Sequence, residues 1–190
     1  MENVRDRLLD EGQALIQSFG YNGFSFRDVA TKVGIRSASI HYHFPTKSDL
    51  GAAVARRYTA DFMEKLETKE ATEGDTATLL VYYASLFKGA LQQDNKMCLC
   101  GMLGAEATSL PDAVKVEVSQ FFDKNVTWLA GVFVRHDEDA DSKALSGAEK
   151  KAAAFIATLE GALILAKGMD RPEIFDQVVD VTLAASGVIS

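Results

Sequence analysis

The stretch Ser25-Phe26-Arg27-Asp28-Val29-Ala30-Thr31-Lys32-Val33-Gly34-Ile35-Arg36-Ser37-Ala38-Ser39-Ile40-His41-Tyr42-His43-Phe44-Pro45 decides the fold. Ser25 precedes a short apolar-periodic run, and its hydroxyl can accept a hydrogen bond from the free amides that open a helix. Gly34 can adopt the left-handed conformation that ends such a helix. Arg36-Ser37 then starts a second short run through Phe44. Pro45 lacks a backbone donor and stops it. Two short helices meeting at a glycine turn are the pattern of a helix-turn-helix, with Ile40 and Phe44 turned to the core and Arg36 to Ser39 on a polar leading face.

Upstream, Val4, Leu8, Leu9, Gly12, Leu15, Ile16 and Phe19 recur at three-to-four spacing, which predicts a helix over 4–19 ending near Gly20. Downstream, Thr46 can cap a longer helix through Leu50, Val54, Tyr58 and Phe62, followed by a polar interval from Glu67 to Thr76. Further helices are expected around Leu79 to Leu91, from Pro111 to about Arg135, from Ala148 to Lys167 and from Pro172 to Val188, with a short apolar segment from Met97 to Ala107. Asp137 to Asp141 reads as a solvated acidic loop. With neither strand pattern nor repeat, the expected fold is all-α, a helix-turn-helix domain over 1–48 followed by a larger helical domain over 49–190.

The 190 residues, 47% hydrophobic, suffice for one substantial core or two coupled helical modules. Net charge is −7, but it is unevenly placed: residues 1–66 carry 9 basic against 8 acidic groups, and the remainder 11 against 19. The acidity belongs to the C-terminal part, so a nucleic-acid partner for the N-terminal part is not excluded. No stretch approaches the roughly 18 apolar residues of a membrane span, and the charged start is unlike a secretory signal, so a cytoplasmic protein is expected. Cys98 and Cys100 are too few and too close for a disulfide framework, consistent with a reducing compartment. His41, His43 and His136 leave no second ligand pair beside these thiols, so no metal is expected. No cofactor or catalytic residue is implied, because no nucleophile, base and orienting group occur in pattern.

Phe26-Arg27-Asp28-Val29-Ala30, Val33-Gly34-Ile35 and Ser39-Ile40-His41-Tyr42-His43-Phe44-Pro45-Thr46-Lys47-Ser48-Asp49-Leu50 resemble the DNA-binding domain of the TetR family of repressors. The resemblance is close over about the first 55 residues; beyond them it rests on length, helical pattern and paired C-terminal helices. It implies a homodimer on a palindromic double-stranded operator, released when a small-molecule effector binds the larger domain. On that resemblance Arg36, Ser37, Ala38 and Ser39 lie near base edges, and Tyr42 and His43 are backbone contacts. His41 stands where the family usually has a tyrosine on the phosphate backbone. Ser25 and Lys47 match positions that grip phosphates. Small residues at 37–39 leave few bidentate donors, so Arg36 carries much of the direct base reading.

For the effector, Tyr58, Phe62, Tyr83, Phe87, Met102, Phe121, Asn125 and Trp128 are candidate lining residues, with Tyr83, Asn125 and Trp128 as polar anchors on otherwise apolar faces. For each residue taken alone core packing is the stronger reading, since apolar stripes are how these helices bury themselves. Cys98-Leu99-Cys100-Gly101-Met102-Leu103-Gly104-Ala105-Glu106 resembles a segment of part of the family, making Cys98 a candidate reactive thiol, against the plain alternative of a small buried apolar residue. Phe155, Ile156, Leu159, Leu163 and Leu165 of one helix, with Phe175, Val178, Val179, Thr182 and Leu183 of the next, are the expected dimer interface, and the small residues Ala152, Ala153, Gly161 and Ala162 allow close helix approach. Two rival readings are a helical enzyme, which no catalytic pattern or metal spacing supports, and a helical adaptor that binds protein rather than DNA, which loss of partner binding on changing the C-terminal face, with no effect of Arg36→Ala, would favour.

Overall fold

A computed structural model describes residues 3–92, 96–135 and 142–186. They form α1 (Val4–Phe19), α2 (Phe26–Val33), α3 (Ser37–His43), α4 (Lys47–Thr72), α5 (Thr76–Gln92), α6 (Leu99–Ala105), α7 (Asp112–Val134), α8 (Ser142–Gly168) and α9 (Glu173–Ala185). His136 and the acidic run Asp137 to Asp141 lie outside the described residues, as does Val188 at the expected end of the last helix. No described helix is long and apolar enough to cross a membrane.

Local chemistry sets the boundaries. Asn3 caps α1 by accepting the Arg5 N–H. Ser25 and Asp28 cap α2 reciprocally, each side chain accepting the other residue's N–H. Thr46 and Asp49 repeat the arrangement at α4. Gly34 ends α2 at φ 76° and ψ 34°, the left-handed conformation foreseen for it. Two expectations shift. Phe19 is 63% exposed, because the chain turns at Gly20 and brings Tyr21, 5% exposed, into the core instead. Helix α4 also continues through most of the polar interval, where Glu70 accepts from Trp128 Nε1 at 2.7 Å and pairs with Arg135, and Lys69 pairs with Glu73.

The chain divides into two compact units, residues 1–61 with 98–121, and residues 62–97 with 122–190. In the first, Leu8, Ile16, Val29, Ile40, Leu50 and Val54 are wholly buried. Arg56 of α4 pairs with the buried Glu117 of α7 at 2.5 Å, and this hydrogen-bonded pair holds the guanidinium above the usual arginine pKa. In the second, aromatic side chains of α4, α5, α7 and α8 form the core around Tyr83.

Candidate DNA-reading head and effector core

Helix α3 is anchored by one side chain and otherwise open. Ile40 is fully buried and Phe44, which caps the helix, is 3% exposed; Arg36, Ser37, Ala38, Ser39, His41 and Tyr42 face solvent, Tyr42 at 89%. His41 Nδ1 lies 2.9 Å from the Pro45 carbonyl, and its ring meets Phe26 edge-on, which holds the start of α2 against the end of α3. His43 is half-buried, its ring edge-on to Tyr42. Ser25 Oγ donates to Asp28 at 2.7 Å, and that bond holds the exposed Asp28 carboxyl below its usual pKa.

Lys47 is turned inward. Its ammonium donates to the Phe24 carbonyl at 2.6 Å and sits over the Tyr21 and Phe24 rings at 4.5 and 4.4 Å. Burial pulls its pKa below the usual lysine value, while Glu106 and Asp28 act against that shift. Sequence reasoning missed Glu106. Its carboxylate accepts the Tyr21 N–H at 2.6 Å and the Asn22 N–H at 3.4 Å, on the turn that leads into α2.

The expected effector residues fall in both units. In the first, Tyr58 is half-buried, its hydroxyl donating to Cys98 Sγ at 3.8 Å and its ring tilted on Phe121; Met102 is half-buried on α6. In the second, Phe62, Tyr83, Phe87 and Trp128 pack on one another at 5.4–5.9 Å between ring centres. The expected anchors find partners here: Tyr83 donates to Asn125 Oδ1 at 2.8 Å with both residues wholly buried, and Trp128 donates to Glu70. An apolar cleft of about 210 Å³ lies elsewhere in this unit, between Phe133, Phe155, Thr158 and Thr182. Cys98 is 1% exposed and caps α6, its sulfur accepting the Gly101 N–H at 3.5 Å; Cys100 is wholly buried.

On the last two helices, Phe155, Ile156, Leu159, Leu163 and Phe175 are buried within their own chain, and Val178, Val179 and Thr182 are half-buried. Of the expected set, Leu165 is 50% exposed, on the outward face of α8 with Ala153, Ala157, Gly161 and Ile164, the last 59% exposed. On α9, Val181 is 71% exposed beside Ala184 and Ala185.

Capped short helices crossing at a left-handed glycine, with the second presenting a polar face on one buried anchor, define a helix-turn-helix DNA-binding protein. Residues 8–54 match the family described as bacterial regulatory proteins, tetR family. The HTH-type transcriptional repressor DhaR of Mycobacterium sp. (strain GP1) is 23% identical over 184 residues, spanning 96% of this chain and 91% of that protein. A TetR transcriptional regulator from Legionella pneumophila superposes with a TM-score of 0.86 at 32% identity, covering 97% of this chain and 98% of that one. A TetR-family regulator from Agrobacterium tumefaciens also gives 0.86, at 29% identity and 96% of both chains. The chain belongs to the TetR family: it is a DNA-binding transcriptional regulator and not an enzyme.

Proposed function

We propose that this regulator acts as a homodimer on a palindromic operator and represses until a small molecule bound among the helices after α3 releases it. The observation that carries the reading is α3 itself, seven residues long, with Ile40 as its buried anchor and Arg36 to Ser39 exposed at its leading end. A helix so presented fits a major groove roughly 12 Å wide, and Arg36 supplies its bidentate donor toward guanine. Tyr42 and the capped α2 start at Ser25 serve the phosphate backbone, while His41 holds α2 to α3 and Lys47 ties the start of α4 to the turn before α2.

Dimerisation places two such heads about 34–36 Å apart, one turn of DNA. The second copy meets the outward face of α8 and α9, where Ala153, Ala157 and Gly161 let backbones approach and Ile164, Leu165 and Val181 bury apolar area. DhaR, named a transcriptional repressor, supports the repressing sense. The effector enters by parting the Tyr83 aromatic cluster, where Asn125 and Tyr83 can exchange their mutual bond for bonds to a ligand; Cys98, nearly closed to solvent, contributes packing and the α6 cap. Release requires only that the effector favour a conformation that fits DNA less well.

Selection of bound sequences from a random duplex library tests the reading. Wild type should enrich a palindrome, Arg36→Ala should change the preferred bases, and Val181→Glu should sediment as a monomer and bind the palindrome weakly. No enrichment by a folded wild-type dimer overturns it.

A further inference from the structure

Glu106 is a carboxylate at the wrong end of a helix. It caps the C-terminus of α6, where the partial negative charge of the helix disfavours it, and it lies beside Gly20, the C-terminal cap of α1. Two peptide N–H groups account for its position, Tyr21 at 2.6 Å and Asn22 at 3.4 Å, both onto Oε2. A second strand of bonds runs alongside: Asn22 Nδ2 donates to Ser109 Oγ at 2.9 Å, and Ser109 Oγ donates to the Glu106 carbonyl at 3.0 Å. Gly20 leaves room for the carboxylate, since a Cβ there would lie 2.7 Å from Oε1. The Tyr21 ring supports Lys47, whose ammonium holds the Phe24 carbonyl immediately before the α2 cap. One side chain of α6 thus grips the turn from which α2 and α3 are hung, 85 residues away in sequence.

We propose that Glu106 is a positioning residue for operator recognition: docked on the Tyr21 and Asn22 amides, it sets the α1–α2 turn, and with it α2 and α3, by reference to α6. This rests on the DNA-reading function proposed above and adds its control. Charge-assisted bonds to two successive amides restrain the turn in direction as well as distance. Helix α6 is short and buried at Leu99, Cys100 and Leu103, so a shift at its Cys98 end reaches Glu106 as the motion of one rigid element. The carboxylate passes that shift to the reading helices.

The test uses the full chain as wild type, Glu106→Ala, Glu106→Gln and Leu103→Ala. Each is titrated with the palindromic duplex that wild type enriches and with a scrambled duplex of equal length, over a range of salt. Glu106→Ala should bind the palindrome about tenfold more weakly, roughly the loss of one good hydrogen bond to a charged group, with scrambled binding and salt slope unchanged. Glu106→Gln keeps an acceptor and should recover part of the loss. Hydrogen exchange should quicken at the Tyr21 and Asn22 amides in both. Leu103→Ala should weaken palindrome binding in wild type and add nothing in Glu106→Ala. Wild-type affinity for the palindrome, equal losses on both duplexes, unchanged exchange at the two amides, or full additivity with Leu103→Ala would each overturn the proposal. If the alanine variant does not fold, the glutamine variant decides by the same criteria. A wild type that selects no sequence refutes the DNA-reading function, and the two amides still report whether the carboxylate holds the turn.

Discussion

Replacing Gly20 by alanine measures the α1–α2 turn against its own internal control. Gly20 has φ 76° and ψ 175°, a region open essentially to glycine alone, and forcing another residue into it costs about 1–3 kcal/mol. The added Cβ would also stand 2.7 Å from Glu106 Oε1 and 3.0 Å from its Cδ. The carboxylate must then leave the Tyr21 and Asn22 amides, forfeiting about 1.5–3 kcal/mol for bonds to a charged acceptor. The expected total is about 2.5–6 kcal/mol. For a chain of this size each kcal/mol lowers Tm by about 2–4 °C, so a fall of order 10 °C is expected. Gly34 has the same φ of 76° but ψ 34°, and nothing lies within 4 Å of a Cβ built there. Gly34→Ala should therefore cost only the left-handed penalty, about 1–2 kcal/mol. The assay is thermal and urea unfolding of both variants at one fixed protein concentration, since a dimer's Tm depends on concentration. In a Glu106→Ala background the Gly20→Ala cost should shrink to its backbone part. A Gly20→Ala cost no larger than that of Gly34→Ala, or one unchanged without Glu106, would refute the reasoning.

Three further outcomes are expected. The Glu70 carboxyl is held below its ordinary pKa, first by its bond to Arg135 and then by that to Trp128. A depressed carboxylate contributes stability that is present above its unfolded pKa of 4.5 and lost as pH falls through the lower folded value; Trp128, the one tryptophan, should report that loss by fluorescence below pH 4.5, and Glu70→Gln should abolish this component. Lys47→Met should weaken operator binding without changing its salt dependence, because the ammonium is bonded to the Phe24 carbonyl; a salt slope reduced by about one would instead put that charge on a phosphate. Cys98 and Cys100, 1% and 0% exposed, should label with maleimide far more slowly in the native protein than in denaturant; rapid native labelling at Cys98 would establish the reactive thiol.

The head was legible in the sequence because its signals are local. Ser25, Gly34 and Pro45 each act on backbone within a few residues, and the helices they bound follow from them. Apolar periodicity gave less on α8 and α9. A buried stripe shows that a face is covered but not whether its own chain or a second copy covers it. Phe155, Leu159 and Leu163 turn inward; of the four small residues expected to permit close approach, Ala152 and Ala162 turn inward too, and only Ala153 and Gly161 reach the outward face. Tyr83, Asn125 and Trp128 were legible as hydrogen-bonding groups on apolar faces, but their partners were not, since Glu70 and Asn125 come from other helices.

Glu106 is the extreme case, because a bond spanning 85 residues leaves no periodic trace. Its trace is electrostatic. Once α6 is bounded by Cys98 and the apolar run to Ala105, a carboxylate follows at the end where helix charge disfavours one, and a side chain placed against its local field implies a compensating donor elsewhere. Gly20 belongs to the same inference: a glycine was required there by φ alone, yet only the structure reveals that the absent Cβ also makes room for the carboxylate. Backbone conformation and side-chain space are independent demands, so a glycine that satisfies both at a helix end points to a contact that only the folded chain can supply.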